Sequence, residues 1–274
     1  MRFPMPVSRR LVFTFCFSLV ATSALAQATA TTPFEPQVGQ PGKDVVWVPT
    51  PQELVDRILD LAKVTPKDYL VDLGSGDGRT VITAAKRGTT ALGIEYNPDM
   101  VELSIKNAAA AGVTDRAKFM KADIFQTDFS KATVLTLFLL PSLNVQLRPT
   151  ILNMKPGTRV VSNTFSMEDW RADETSEVGD PCERWCTALF WIVPAKVEGA
   201  WRTGNGALTL KQQFQELTGT LGTAEIVNGR MRGEEILFTA GGANYTGRVS
   251  GDRMEGSVVS GGRTTTWQAT RAGR

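Results

Sequence analysis

The sequence predicts an α/β fold, a doubly wound and mostly parallel seven-stranded sheet, followed by a small all-β C-terminal domain. Three observations predict it. Between Tyr69 and Val193, short apolar strands alternate with helical patterns. The first strand runs into a glycine-rich turn, Gly74-Ser75-Gly76-Asp77-Gly78, and a helical pattern opens at Arg79. After Pro194-Ala195 the chain turns into Gly- and Thr-rich runs of alternating polarity.

The elements follow in order. A first helix opens after Val48-Pro49-Thr50-Pro51, with Thr50 as its cap, Pro51 at the first helical position and Glu53 completing a capping box. Leu54, Ile58 and Leu61 then line one face. Tyr69–Leu73 is the first strand, Arg79–Arg87 a helix and Thr90–Glu95 the second strand. Asn97-Pro98 opens an alanine-rich helix that stops near Gly112. Ala117–Ala122 and Thr133–Leu140 read as the third and fourth strands, and a helix spans Ser142 to Met154. Pro156-Gly157 turns the chain into Thr158–Ser162, and Thr187–Val193 closes this part after an irregular hairpin. Strands this apolar suit a sheet covered by helices on both faces. Residues 44–195 form this domain. Residues 196–274 predict a β-meander, closed as a small barrel or left open, from runs such as Ala207–Leu210, Glu235–Phe238 and Thr264–Ala269. Trp201, Phe214, Tyr245 and Trp267 read as its core in preference to a carbohydrate- or peptide-binding face.

The N-terminus reads as an address. Arg2, Arg9 and Arg10 precede an apolar run from Leu11 to Ala26, and Ala24-Leu25-Ala26 supplies small residues for cleavage. The run is about 16 residues, short of the roughly 20 that span a bilayer. Residues 1–26 are therefore expected to be a signal peptide for export to a bacterial periplasm, with an uncleaved anchor as the alternative. Ser8-Arg9-Arg10 and Phe13 resemble a twin-arginine signal. Residues 27–43, rich in Thr, Gln, Pro and Gly, read as a flexible linker. Cys182 and Cys186 read equally as a disulfide in an oxidising compartment and as two small buried apolar residues. The formal charge of +2 becomes −1 without residues 1–26, so bulk electrostatics gives no argument for nucleic acid. Histidine is absent, which excludes His-based triads, His-built zinc sites and a His general base. No metal site is expected.

Three acidic or glycine positions carry the chemistry. Glycines at 74 and 76 let the backbone approach a ligand closely. A dinucleotide fingerprint would place its third glycine at position 79, where Arg79 stands, so a pyrophosphate cradle is disfavoured. Glu95 ends the second strand at nearly the spacing where an acid meets ribose hydroxyls. Asp123 follows the third strand in Lys121-Ala122-Asp123-Ile124-Phe125. Leu139-Leu140-Pro141-Ser142 ends the fourth, where substrate-side groups gather in doubly wound sheets.

Asp72 and the Gly74-Ser75-Gly76-Asp77-Gly78 turn resemble motif I of the Rossmann-like, seven-β-strand (class I) S-adenosylmethionine-dependent methyltransferases. The resemblance implies S-adenosyl-L-methionine as cofactor, with Asp72, Gly74, Ser75 and Gly76 under its methionine end. It also implies Glu95 at the ribose, Asp123 at the adenine amino group and Ile124 on the ring. Val48-Pro49-Thr50-Pro51, Glu95-Tyr96-Asn97-Pro98 and Leu140-Pro141 narrow the likeness, over roughly residues 44–170, to bacterial relatives of the ATP synthase c-subunit lysine methyltransferases. Pro49, Thr50, Leu140 and Pro141 then fall on the substrate side. The implied activity is N-methylation of a protein lysine, with a small membrane protein as the kind of partner and membrane proximity expected. The Asn/Asp-Pro-Pro-Tyr of base-amine methylases is missing after the fourth strand, which argues against a nucleic-acid partner. No catalytic base and no oligomeric state can be assigned from these residues. Two other readings compete: an exported, non-catalytic binding protein that keeps the fold, and a nicotinamide-dependent oxidoreductase.

Overall fold

The computed structural model describes residues 1–5 and 34–273. The rest of the predicted address, 6–26, and linker residues 27–33 lie outside the described residues. From Phe34 onward the chain forms one compact unit built on two sheets.

The first sheet has seven strands: β1 (Tyr69–Leu73), β2 (Thr90–Glu95), β3 (Ala117–Lys121), β4 (Val134–Leu137), β5 (Arg159–Asn163), β6 (Glu174–Glu177) and β7 (Thr187–Ile192). Their order is β3-β2-β1-β4-β5-β7-β6. β1 to β5 run parallel, and β7 runs antiparallel to both β5 and β6. The sheet is therefore mixed, parallel through its first five strands. Successive residues serve opposite faces, as the pleat requires. Leu70, Val134 and Val161 pack on one face with α1 (Gln52–Leu61), α2 (Arg79–Lys86) and Ala108 of α3 (Pro98–Ala110). Val71, Leu135 and Val160 pack on the other with Leu147 and Ile151 of α4 (Pro141–Leu152). A fully buried side chain of this size contributes about 1.5–3 kcal/mol.

Local signals were met unevenly. Asn97 caps α3 as expected, its Oδ1 accepting from the Asp99 N–H at 2.9 Å. The capping box at α1 is absent: Pro51, in extended conformation, is the N-cap, and no side chain caps the helix. Thr50 is buried, and its hydroxyl accepts from Asn163 Nδ2 at 3.3 Å instead. β4 stops at Leu137, three residues short of the predicted end, and after Phe138 and Leu139 the chain reaches Leu140, the N-cap of α4, with Pro141 at its first position.

The second sheet is a barrel. β8 (Gly199–Thr203), β9 (Gly206–Gln213), β10 (Glu216–Leu221), β12 (Val227–Arg232), β13 (Glu235–Ala240), β14 (Ala243–Ser250), β15 (Arg253–Ser260) and β16 (Arg263–Arg271) pair antiparallel in an up-and-down ring. The two-residue strand β11 (Ala224–Glu225) hangs on β10. Closure comes from β10, which pairs with both β9 and β12, so no long edge remains open. Trp201, Tyr245 and Trp267 are buried inside it, as a core reading requires. Phe214 is different. It stacks on Trp170 of the other sheet's core, with centroids 5.9 Å apart. Arg230 pairs with Asp173 at 2.6 Å, and Gln215 donates to the Arg171 carbonyl at 2.8 Å. These contacts join the barrel to the first sheet.

Candidate active site

The strand-to-helix turn after β1 starts the site. Gly76 has φ +54°, and a Cβ there would lie 2.7 Å from Trp47 Nε1, so the indole rests on the backbone where only glycine fits. Gly78, with φ +82°, is the N-cap of α2, against the Phe119 ring. Arg79, the residue that breaks the dinucleotide pattern, is fully employed in holding the turn. It forks onto Asp77 at 2.6–3.1 Å and donates to the Thr50 carbonyl at 2.8 Å. The Ser75 hydroxyl is buried against Gly93 and has no hydrogen-bond partner among the described residues.

The acids occupy the ends of adjacent strands. Asp72, on β1, is buried and accepts a 2.6 Å bond from Thr136 Oγ1 on β4. Burial pushes its carboxyl up to about 7, against the Thr136 hydroxyl, and the neighbouring carboxylates of Glu95 and Asp77 push the same way. Glu95, at the end of β2, is locked by three backbone donors: Gly76 on Oε2 at 3.0 Å, and Tyr96 and Asn97 on Oε1 at 2.8 and 2.9 Å. Asp123, just past β3, accepts from the Phe125 N–H at 2.9 Å and pairs with Lys43 at 3.0 Å. The Phe125 N–H and the Lys43 ammonium hold the Asp123 carboxyl below the usual range.

All these groups line one cavity of about 130 Å³. Asp72, Gly74, Ser75, Gly76, Glu95, Asp123 and Ile124 border it, as do Pro49 and Thr50. Leu140 and Pro141 do not; Phe138 and Leu139 stand there instead. Sequence reasoning missed the roof. Residues 40–48, partly assigned to a flexible linker, fold over the pocket through the Pro41–Val46 bridge, the Lys43–Asp123 pair and Trp47 on Gly76. Lys43 also lies 5.3 Å from the Tyr96 ring centroid and 5.8 Å from that of Phe125. A tryptophan and a lysine in a polar stretch were the available signal.

The donor set fits S-adenosylmethionine. Asp72 would offer a buried acid to its cationic end, Glu95 a fixed carboxylate to its diol, and Asp123 with Ile124 a polar and an apolar group to its base. Cys182 and Cys186 are joined by a disulfide beside this edge of the sheet.

Comparison with known proteins agrees with that fit. The model of the ANTKMT methyltransferase domain matches residues 72–174. A protein-lysine N-methyltransferase of Saccharolobus islandicus is 44% identical over 139 residues, covering 50% of this chain and 86% of that protein. The ATP synthase c-subunit lysine N-methyltransferase of Mus musculus is 35% identical over 134 residues, and the match spans only 54% of its length. An RNA methyltransferase of Salinibacter ruber, crystallised with S-adenosyl-L-homocysteine, superposes with a TM-score of 0.52 at 46% identity, over 55% of this chain and 96% of that one. S-adenosylmethionine is the cofactor, and the chain belongs to the class I S-adenosylmethionine-dependent methyltransferases.

Proposed function

We propose that the protein methylates lysine side chains of a protein substrate. The observation that carries this reading is the pocket of Asp72, Glu95 and Asp123 in a chain 44% identical to a protein-lysine N-methyltransferase. The bound cofactor supplies an electrophilic methyl group on sulfur. Asp72 and the glycine turn bind its cationic end, Glu95 fixes its ribose and Asp123 its base, while the 40–48 roof excludes water. A lysine ammonium has an ordinary pKa of about 10.4, so the acceptor must shed its proton before transfer. The apolar side chains of Leu139 and Leu143 favour the neutral amine by desolvation. No histidine serves as base.

The substrate itself is read from relatives. Mouse proteins with 35% and 32% identity are named for lysines in the ATP synthase c-subunit and the adenine nucleotide translocase. A small membrane protein is accordingly the proposed acceptor class, and export to the periplasm the proposed location. The Cys182–Cys186 disulfide supports an oxidising compartment. A nucleic-acid acceptor is the second reading, favoured by the name of the Salinibacter ruber neighbour. Incubating the protein with methyl-labelled S-adenosylmethionine and total membranes or total RNA separates the two. Label recovered as Nε-methyllysine is expected; label confined to RNA refutes the lysine reading.

A further inference from the structure

The cofactor anchors occupy only half of their sheet edge. They stand at the ends of β1, β2 and β3. On the other half, past the switch point between β1 and β4, three aromatic residues from distant parts of the chain meet. Phe138 follows β4, Phe165 follows β5, and Trp185 precedes β7, whose antiparallel course starts it at this same edge. Ring centroids are 6.0 Å apart for Phe138 and Phe165, 5.9 Å for Phe138 and Trp185, and 5.3 Å for Phe165 and Trp185.

This triangle is not core. Trp185 is 37% exposed, Phe138 and Phe165 are half-buried, and none of the three belongs to a hydrophobic core. Phe138 also lines the cofactor pocket, so the cluster adjoins it. The backbone is held there against its preference. Thr164 and Trp185 adopt φ of +59° and +61°, although neither is glycine. Such strain persists where the surroundings enforce it, and it gathers at functional sites. The surroundings do enforce it: Asn144 Nδ2 and Ser162 Oγ both donate to the Phe165 carbonyl, at 3.1 and 2.7 Å. Trp185 sits within the loop closed by the Cys182–Cys186 disulfide. Trp185 and its loop lie beyond residues 72–174, outside the matched family domain.

We propose that Phe138, Phe165 and Trp185 form the acceptor wall, which receives the lysine cation and its methylated products, with Trp185 setting acceptor specificity. The proposal rests on the lysine reading above. With the cofactor on the β1–β3 half, an acceptor approaches from the β4–β5–β7 half. Ring faces attract a cation through their quadrupole, without needing its N–H groups. That attraction survives each methylation, whereas a carboxylate clamp loses a donor with every methyl added.

The test uses the whole protein loaded with S-adenosyl-L-homocysteine. N-acetyl-Nε-trimethyllysine methylamide and its neutral carbon isostere are titrated while indole NMR signals are followed. The cation is expected to bind at least about tenfold tighter than the isostere. Trp185→Ala should abolish that preference and Trp185→Phe restore most of it, with unchanged affinity for S-adenosyl-L-homocysteine in both. Phe165→Leu provides a second, independent variant. Equal binding of cation and isostere, or a preference that survives both Trp185→Ala and Phe165→Leu, overturns the proposal. Its failure is distinguishable from that of the lysine reading. Methyllysine formed without a cation preference refutes the wall alone; a cation preference without methyllysine refutes only the acceptor's identity.

Discussion

At the scale of single residues, the site is a set of acids held in unlike states. Glu95 accepts from three backbone N–H groups, whereas Asp72 is buried with the Thr136 and Thr80 hydroxyls beside it and the carboxylates of Glu95 and Asp77 nearby. Its carboxyl is raised from 3.8 to about 7, so the sign of its pH effect follows. Its contribution to the stability of the cofactor-free protein is complete below about pH 4 and is lost as the pH rises through about 7. Asp72→Asn removes that loss. Thermal denaturation should show the variant matching the parent at pH 4 and exceeding it at pH 8. Affinity for the cationic cofactor moves oppositely: in the parent it should strengthen as Asp72 ionises near pH 7, and in the variant stay weak and flat. The three acids were legible because Asp72 and Glu95 stand near the ends of β1 and β2 and Asp123 just past β3, and strand ends are where doubly wound sheets collect ligand-binding groups. The direction of the Ser75 hydroxyl was not, since a motif specifies the course of the backbone and this hydroxyl packs against Gly93.

At the scale of elements, the strands and helices that carry the pocket follow from periodicity, because each buries one face. The roof does not. Residues 40–48 have a linker's composition, and their order comes from partners far along the chain, Lys43 with Asp123 and Trp47 with Gly76. The early end of β4 was hidden for a similar reason, since the apolar run through Leu139 and Leu140 reads as strand although Phe138 and Leu139 line the cavity and Leu140 is the N-cap of α4. Gly76→Ala probes roof and turn together. An alanine at φ +54° costs about 1–3 kcal/mol, and its methyl group would meet Trp47 Nε1 at 2.7 Å. The expected outcome is a lower melting temperature and at least tenfold weaker cofactor binding. An unchanged affinity would show that the indole seat does not shape the pocket.

At the scale of the whole molecule, two sheets of different design share one compact unit. The composition change at Pro194-Ala195 falls between the last strand of the first sheet and the first strand of the barrel, but does not reveal the lock that joins the two sheets. Phe214 reads as one more barrel aromatic until Trp170 is found stacked on it, with the Arg148 guanidinium carbon 5.1 Å from its ring centroid. Phe214→Ala should destabilise the protein by about 2 kcal/mol, below the usual 3–5 for a buried Phe because Phe214 is only half-buried. Denaturant unfolding followed by tryptophan fluorescence measures it, and a loss of coincidence between the two sheets' transitions would reveal the weakened lock. The claim on which everything else depends is that the pocket beneath residues 40–48 holds S-adenosylmethionine through Glu95. Calorimetry of the folded chain against that cofactor tests it directly. One molecule bound per chain is predicted, with Glu95→Gln weakening it by about 1.5–3 kcal/mol as a charged hydrogen-bonding partner is lost. No binding to a folded sample at millimolar cofactor, or undiminished binding by Glu95→Gln, would contradict it.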